Sequence, residues 1–102
     1  METKRKEIIW TLSAVKDLQD IYNYLAERSV VAAKKIINQI IEAPETIAIS
    51  GFTKAIAVDE YNPKYRRIIS GNYKILFRVR KKFIVIHRIF DTRQNPEKLG
   101  KL

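Results

Sequence analysis

The chain has 102 residues, 20 Lys and Arg against 11 Asp and Glu, a net charge of +9, a single histidine and no cysteine. Without cysteine it has no disulfide framework, thiol nucleophile or thiolate metal site, and one histidine among scattered acids leaves no metal-ligand cluster. We expect a single domain over residues 1–102, large enough to bury roughly 60–70% of its unfolded surface, with no cofactor and no metal.

The charge is unevenly placed. Residues 1–51 carry 7 basic and 7 acidic side chains, whereas residues 52–102 carry 13 and 4. The whole excess sits in the second half, which favours a polyanionic partner, nucleic acid or an acidic protein segment; the alternative is a solubilising surface. The opening METKRKEIIW has an apolar run only from Ile8 to Trp10, too short for a signal peptide or a membrane span, so we expect a soluble, cytoplasmic protein.

In chain order, Glu7–Trp10 has strand-like content. Ser13 is a plausible N-cap, and Ala14, Leu18, Ile21, Tyr22 and Leu25 recur at helical spacing, which predicts a helix from about Ala14 to Arg28. Asp17 and Asp20 lie where they favour its dipole. Ser29 can cap a second helix at once, so the two helices should form an antiparallel hairpin. Ala33, Ile37, Ile40 and Ile41 make its apolar stripe, opposite Lys34, Lys35, Asn38 and Gln39. Pro44 should end or kink this helix, with one further turn through Ile47 before Ser50-Gly51. Phe52 to Pro63 shows no clear period and reads as a connection carrying Lys54, with a short strand around Ala55–Val58 and a turn at Asn62-Pro63.

Gly71-Asn72 and Lys81-Lys82 then separate three runs rich in Ile, Tyr, Phe and Val, which predicts three antiparallel strands joined by tight turns. Counting outward from two-residue turns sets Ser70 against Tyr73, Arg67 against Leu76 and Tyr65 against Arg78, and on the other side Arg80 against Phe83, Arg78 against Val85 and Leu76 against His87. Alternation then assigns Ile68, Tyr73, Ile75, Phe77, Val79, Ile84, Ile86 and Phe90 to a core face. The opposite face takes Tyr65, Arg67, Lys74, Leu76, Arg78, Arg80, Phe83, Val85, His87 and Ile89. Arg66 and Arg88 fall on the core face, where an unpaired charge is costly, so each should pair with an acid such as Asp17, Asp20 or Asp91. The fold class expected is α+β: an antiparallel sheet of about four strands with the N-terminal helical hairpin packed on one face, in the order β-α-α-β-β-β.

Tyr65, Arg67, Lys74 and Arg78 are therefore the candidate binding residues, with Lys54 in the connection and Arg93 on an exposed tail, Arg93 to Pro96, that reaches toward a partner. Cations on such a face suit phosphates or carboxylates. Cleaving RNA would need a base for the 2′-hydroxyl, an acid for the leaving oxygen and cations for the charged phosphorane. His87 can carry one of those protons and Tyr65 or a lysine the other; equally, His87 can be a packed sheet residue. The sequence has neither a Gly-rich phosphate loop nor a Ser/His/Asp arrangement.

The early Trp10 with DLQDIYNYL (Asp17–Leu25), the segment YRRIISGNYKILFRV (Tyr65–Val79) and the ending IVIHRIFDTRQNP (Ile84–Pro96) together resemble the RelE/ParE toxin superfamily of bacterial type II toxin–antitoxin systems, over about Ile8 to Leu99. The resemblance implies a small cytoplasmic toxin of the plasmid stabilisation type, held in a hetero-oligomer by an acidic antitoxin encoded beside it, with no membrane association. The Arg88–Arg93 ending is similar to that of ParE-like members, which inhibit DNA gyrase. RelE-like members are mRNA endonucleases that act in the ribosome; on that alternative His87 and Arg67 are the catalytic residues, although Phe90 and Asp91 stand where some nucleases carry His and Tyr. A non-catalytic nucleic-acid-binding module is the further alternative, since Tyr65, Phe83 and His87 can stack bases.

Overall fold

The computed structural model describes residues 5–50, with Ser50 through its backbone only, and residues 57–93. Its elements run β1 (Glu7–Trp10), α1 (Leu12–Ala26), α2 (Val30–Ser50), β2 (Arg66–Ser70), β3 (Tyr73–Val79) and β4 (Phe83–Asp91). This is the expected α+β order. The sheet is arranged β1-β4-β3-β2. β2, β3 and β4 are antiparallel as expected, while β1 joins β4 in parallel, Ile8 against Ile84 and Trp10 against Ile86, so the four-stranded sheet is mixed.

β1 passes into α1 without a loop. The Thr11 N–H donates to the Ile86 carbonyl as the last rung of the strand, and the Thr11 side chain accepts from the Ala14 N–H at 3.2 Å. Thr11, not Ser13, is thus the N-cap, because the residue that leaves the strand is the one whose extended backbone (φ −66°, ψ 163°) suits a cap. Ser29 caps α2 as predicted, accepting from Ala32 N–H at 3.1 Å. Of the two outcomes expected at Pro44, an end or a kink, the helix does not end: α2 runs on to Ser50. Pro44 is fully buried, and Ile40, Ile47 and Ala48 on either side of it are buried too, so packing holds the helix across the hydrogen bond that proline removes. Arg5 pairs with Glu45 and ties the approach to β1 to this last part of α2.

The β2–β3 turn is the predicted one: Gly71 takes φ +59°, and Ser70 faces Tyr73 with Arg67 facing Leu76. Arg78 also faces Val85 as expected. Beyond that point β3 and β4 slip, with Phe77 opposite Ile86 but Leu76 opposite Arg88. His87 is the extra residue of a bulge and does not face Leu76. One residue of offset exchanges the two faces beyond it. Ile89, expected outside, is in the core at 3% exposure, and Phe90, expected in the core, stands opposite Lys74 on the other face. The core itself lies between sheet and helices: Tyr73, Ile75, Phe77, Ile84, Ile86 and Ile89 pack with Ala14, Ile40, Ile47 and Ala48, and Ile8, Trp10, Leu18, Ile36, Ile37, Ile68 and Val79 close its margin. Arg66 stands opposite Phe77, and Arg88 meets Asp17, one of its expected acids, in a two-bonded pair of 2.8 and 3.2 Å.

The outer face is only partly open. The segment 57–65 runs back along β2, where Val58 bridges Arg66 and Arg67 N–H donates to the Ala57 carbonyl; the rest of the short strand expected around Ala55–Val58 lies outside the described residues. Asp59 Oδ2 accepts from the N–H groups of Tyr61 (3.1 Å) and Asn62 (2.8 Å), which builds the turn, while Oδ1 accepts from Lys74 Nζ at 2.7 Å. Lys74 is 6% exposed and Leu76 0%. The expectation of an exposed Lys74 is corrected accordingly: the segment between the helices and the sheet folds over the outer face and brings an acid to it. Among the described residues no helix is long and apolar enough to cross a membrane.

Candidate functional site

What the folded-over segment delivers to the outer face is Tyr65. The turn made by Asp59 is closed by Tyr65 N–H donating to the Asn62 carbonyl and Asp59 N–H to the Tyr65 carbonyl, both at 2.9 Å. The Tyr65 ring then lies 4.9 Å from the His87 ring at a tilt of 53°. Lys64 Nζ stands 5.6 Å from the tyrosine ring centroid and the Arg78 guanidinium carbon 5.8 Å, within reach of a cation–π attraction. The bulge matters here: it turns two consecutive β4 residues, His87 and Arg88, to one cleft. That cleft, of about 300 Å³, lies between the start of α1 and β4 and is lined by Thr11, Ser13, Tyr65, His87 and Arg88.

The cluster is positive. Burial, and then the charges of Arg78, Arg80 and Lys64, hold the His87 pKa below the ordinary histidine value of 6.5, so the ring is neutral at pH 7 and offers one donor and one acceptor. Arg88 is the exception among the cations of the cleft. Its hydrogen bond to Asp17 raises its pKa further, and the Asp17 Oδ2 also accepts from Ile89 N–H at 2.9 Å, covering the edge of β4 beyond the reach of β1. Lys64, Arg67, Arg78 and Arg80 have no acidic partner among the described residues. Arg67 Nε is buried without a hydrogen-bond partner.

Of the residues singled out in the sequence, Tyr65, Arg78 and His87 come together. Arg67 shares their face, one strand over, opposite Leu76. Lys74 is enclosed with Asp59, its Nζ also 5.2 Å from the Tyr61 ring, and serves to hold the segment down. Arg93 lies at the other end of β4, bonded to Asp91 at 2.6 and 2.9 Å, where Thr92 N–H reaches the Asn72 carbonyl of the β2–β3 turn. Lys54 and residues 94–96 lie outside the described residues. The sequence reasoning left Lys64, Arg80, Thr11 and Ser13 out of the site. Arg80 was legible, two residues from Arg78 on the same strand face; the others join through tertiary folding.

The arrangement also bears on proton transfer. Cleavage at phosphorus wants the attacking and leaving oxygens roughly in line, with the base at one and the acid at the other. Tyr65 and His87, the two groups able to carry a proton, stand side by side in ring contact, 4.9 Å apart. Lys64, Arg78 and Arg80 give the cluster a positive field.

Comparison with known proteins gives three results. The sequence profile of the ParE toxin of type II toxin–antitoxin systems, parDE, matches residues 8–96. No curated protein matches the chain in sequence. Among solved structures, the chain is similar to one from the chromosomal ParDE toxin–antitoxin system of P. aeruginosa, with a TM-score of 0.75 and 26% identity over 89% of this chain and 100% of that one. It shares the fold of a chain in the toxin–antitoxin complex RelBE2 from Mycobacterium tuberculosis, with a TM-score of 0.59 and 14% identity over 88% and 94%.

Proposed function

Because the chain belongs to the ParE toxin family of type II toxin–antitoxin systems, we propose that it arrests growth from within the cytoplasm by interfering with DNA gyrase and is neutralised by a cognate antitoxin in a hetero-oligomer. The observation that carries this reading beyond the family is the Tyr65–His87 contact: a neutral histidine and a tyrosine packed side by side among Lys64, Arg78 and Arg80. Such a face binds an anionic macromolecule without the flanking acid and base that RNA cleavage requires. Arg67, Arg78 and Tyr65 are its contact residues, and Arg93, exposed at the far end of β4, extends the reach of the same chain toward a partner.

The test is induced expression in cells lacking the antitoxin, with chromosomal DNA and transcripts scored together, and a supercoiling assay with purified gyrase. Broken DNA, intact transcripts and inhibited supercoiling support the proposal. Messages cut at ribosome-occupied codons with gyrase untouched would replace it by the RelE-like endonuclease reading. That second reading has one observation in its favour: His87, Tyr65, Arg78 and Arg67 do share one face, and bound RNA would have to part the two rings.

A further inference from the structure

Among the described residues, ion pairs engage Asp17, Asp20, Glu45, Asp59 and Asp91, and none of them reaches Lys64, Arg78 or Arg80. Arg88, Lys74 and Arg93 are each answered by an acid of this chain, whereas Lys64 and Arg78, beside the Tyr65 ring, and Arg80 have no acidic partner among the described residues. Beside them the surface turns aliphatic. Ile9, opposite Val85 on the outer face of β1, is 41% exposed, and Leu12 and Val15, one turn apart on α1, are 89% and 43% exposed. The cleft is lined by Thr11 and Ser13, which flank Leu12 in the chain, and by Tyr65, whose ring Lys64 and Arg78 approach, and Ser13 brings it a hydroxyl.

Resting on the toxin reading, we propose that this cleft receives one carboxylate side chain from an acidic, amphipathic segment of the antitoxin, whose apolar residues lie over Ile9, Leu12 and Val15. A carboxylate beside Arg78, Lys64 and the ring N–H of His87 meets charge-assisted donors in a partly desolvated place. The aliphatic margin decides between partners. A phosphate chain would satisfy the cations yet leave Ile9, Leu12 and Val15 in water, and a free anion would do the same; a peptide with alternating acidic and apolar groups answers both.

The charged and titratable groups facing His87 are Lys64 and Tyr65 from the folded-over segment, Arg78 of β3 and Arg80 just after it, and Arg88 of β4 with its Asp17 from α1. Asp17 is already held by Arg88, so an arriving carboxylate is the first unshared negative charge in the cleft. It raises the proton affinity of His87, and binding draws a proton into the site as pH falls. His87 is the one histidine of the chain, so its ring resonance reports on this cleft alone.

The test uses the full chain and a synthetic helical peptide of about 16 residues with Glu and Leu on one face. The peptide should bind, raise the titration midpoint of the His87 ring in NMR, and bind more tightly at pH 6 than at pH 8. Its Glu→Gln and Leu→Ser versions should each bind at least about tenfold more weakly, as should Arg78→Gln and Leu12→Ser variants of the chain with unchanged circular dichroism. A His87 signal left unmoved, a Leu→Ser peptide that binds as well as the parent, or tighter binding of a single-stranded RNA or of inorganic phosphate would overturn the proposal. Growth arrest by the unmodified chain is scored separately, so loss of the toxin reading and loss of the carboxylate site are told apart.

Discussion

Lys74 and Asp59 meet 2.7 Å apart on the face of the sheet turned away from the helices, with side-chain exposures of 7% and 0%. The carboxylate also takes two backbone N–H groups of its own turn, so three hydrogen bonds hold it in place. Breaking such a pair from one side strands the other charge, which costs about 3–5 kcal/mol, whereas replacing both partners by apolar groups of similar volume costs much less. Asp59→Ala should therefore lower the urea midpoint sharply, and Asp59→Leu combined with Lys74→Met should recover much of the loss. Because the same turn carries Tyr65, the single variant should also free the His87 ring, seen as a change in its NMR shift.

Gly71 offers a second and simpler test. Its φ of +59° lies in the left-handed region, and an added Cβ would meet nothing within 4 Å. The cost of Gly71→Ala is then one of backbone strain alone, about 1–2 kcal/mol, and Gly71→Asn should cost less because asparagine tolerates that region. Equal thermal midpoints for the two variants would contradict this account of the turn.

What could be read in the sequence was what local chemistry decides. Ser29 as a cap, Gly71-Asn72 as a turn and the alternation that puts Arg67 and Arg78 on the outer face all follow from neighbours in the chain. The bulge at His87 does not. It is imposed by α1: Thr11 bonds the Ile86 and His87 carbonyls and Asp17 takes the Ile89 N–H, so the edge of β4 passes from a strand partner to a helix partner within three residues. Nothing in FIVIHRIF announces that exchange, and the faces of Ile89 and Phe90 depend on it. The Lys74–Asp59 pair was hidden for a similar reason, since Asp59 lies in a stretch without period. The part of the site that was missed, Lys64, Thr11 and Ser13, is the part assembled by those two long-range events.

His87 makes stability depend on pH in a stated direction. Its folded pKa is lowered, first by burial and then by Arg78, Arg80 and Lys64. The unfolded chain therefore takes up a proton near pH 6.5 that the folded chain refuses, and the stability present above pH 6.5 is lost as pH falls toward the folded value. Unfolding followed between pH 7.5 and 5.5 should show this loss, and His87→Gln should flatten that part of the profile. An unchanged slope in the variant would assign the dependence to other groups.

The charges on the outer face should govern how fast the antitoxin arrives more than how long it stays. Arg78 is half-buried beside the Tyr65 ring and Arg80 is exposed, and neither has an acid of its own among the described residues. Charges of this kind steer an oppositely charged partner over distances set by screening, about 10 Å at 0.1 M salt and 3 Å at 1 M. Reversing them, Arg78→Glu with Arg80→Glu, should slow association with the cognate antitoxin about tenfold or more at low salt and far less at 1 M, while dissociation changes less. Arg93→Glu makes the contrast informative: Arg93 is exposed but already bonded to Asp91 through two nitrogens, so its reversal sets a single acid against another at the far end of β4 and should alter the salt dependence of association less than the Arg78 and Arg80 pair. Stopped-flow rates across a salt series decide the matter, and rates for the double variant that parallel those of the unaltered chain at every salt concentration would remove the outer face from the encounter.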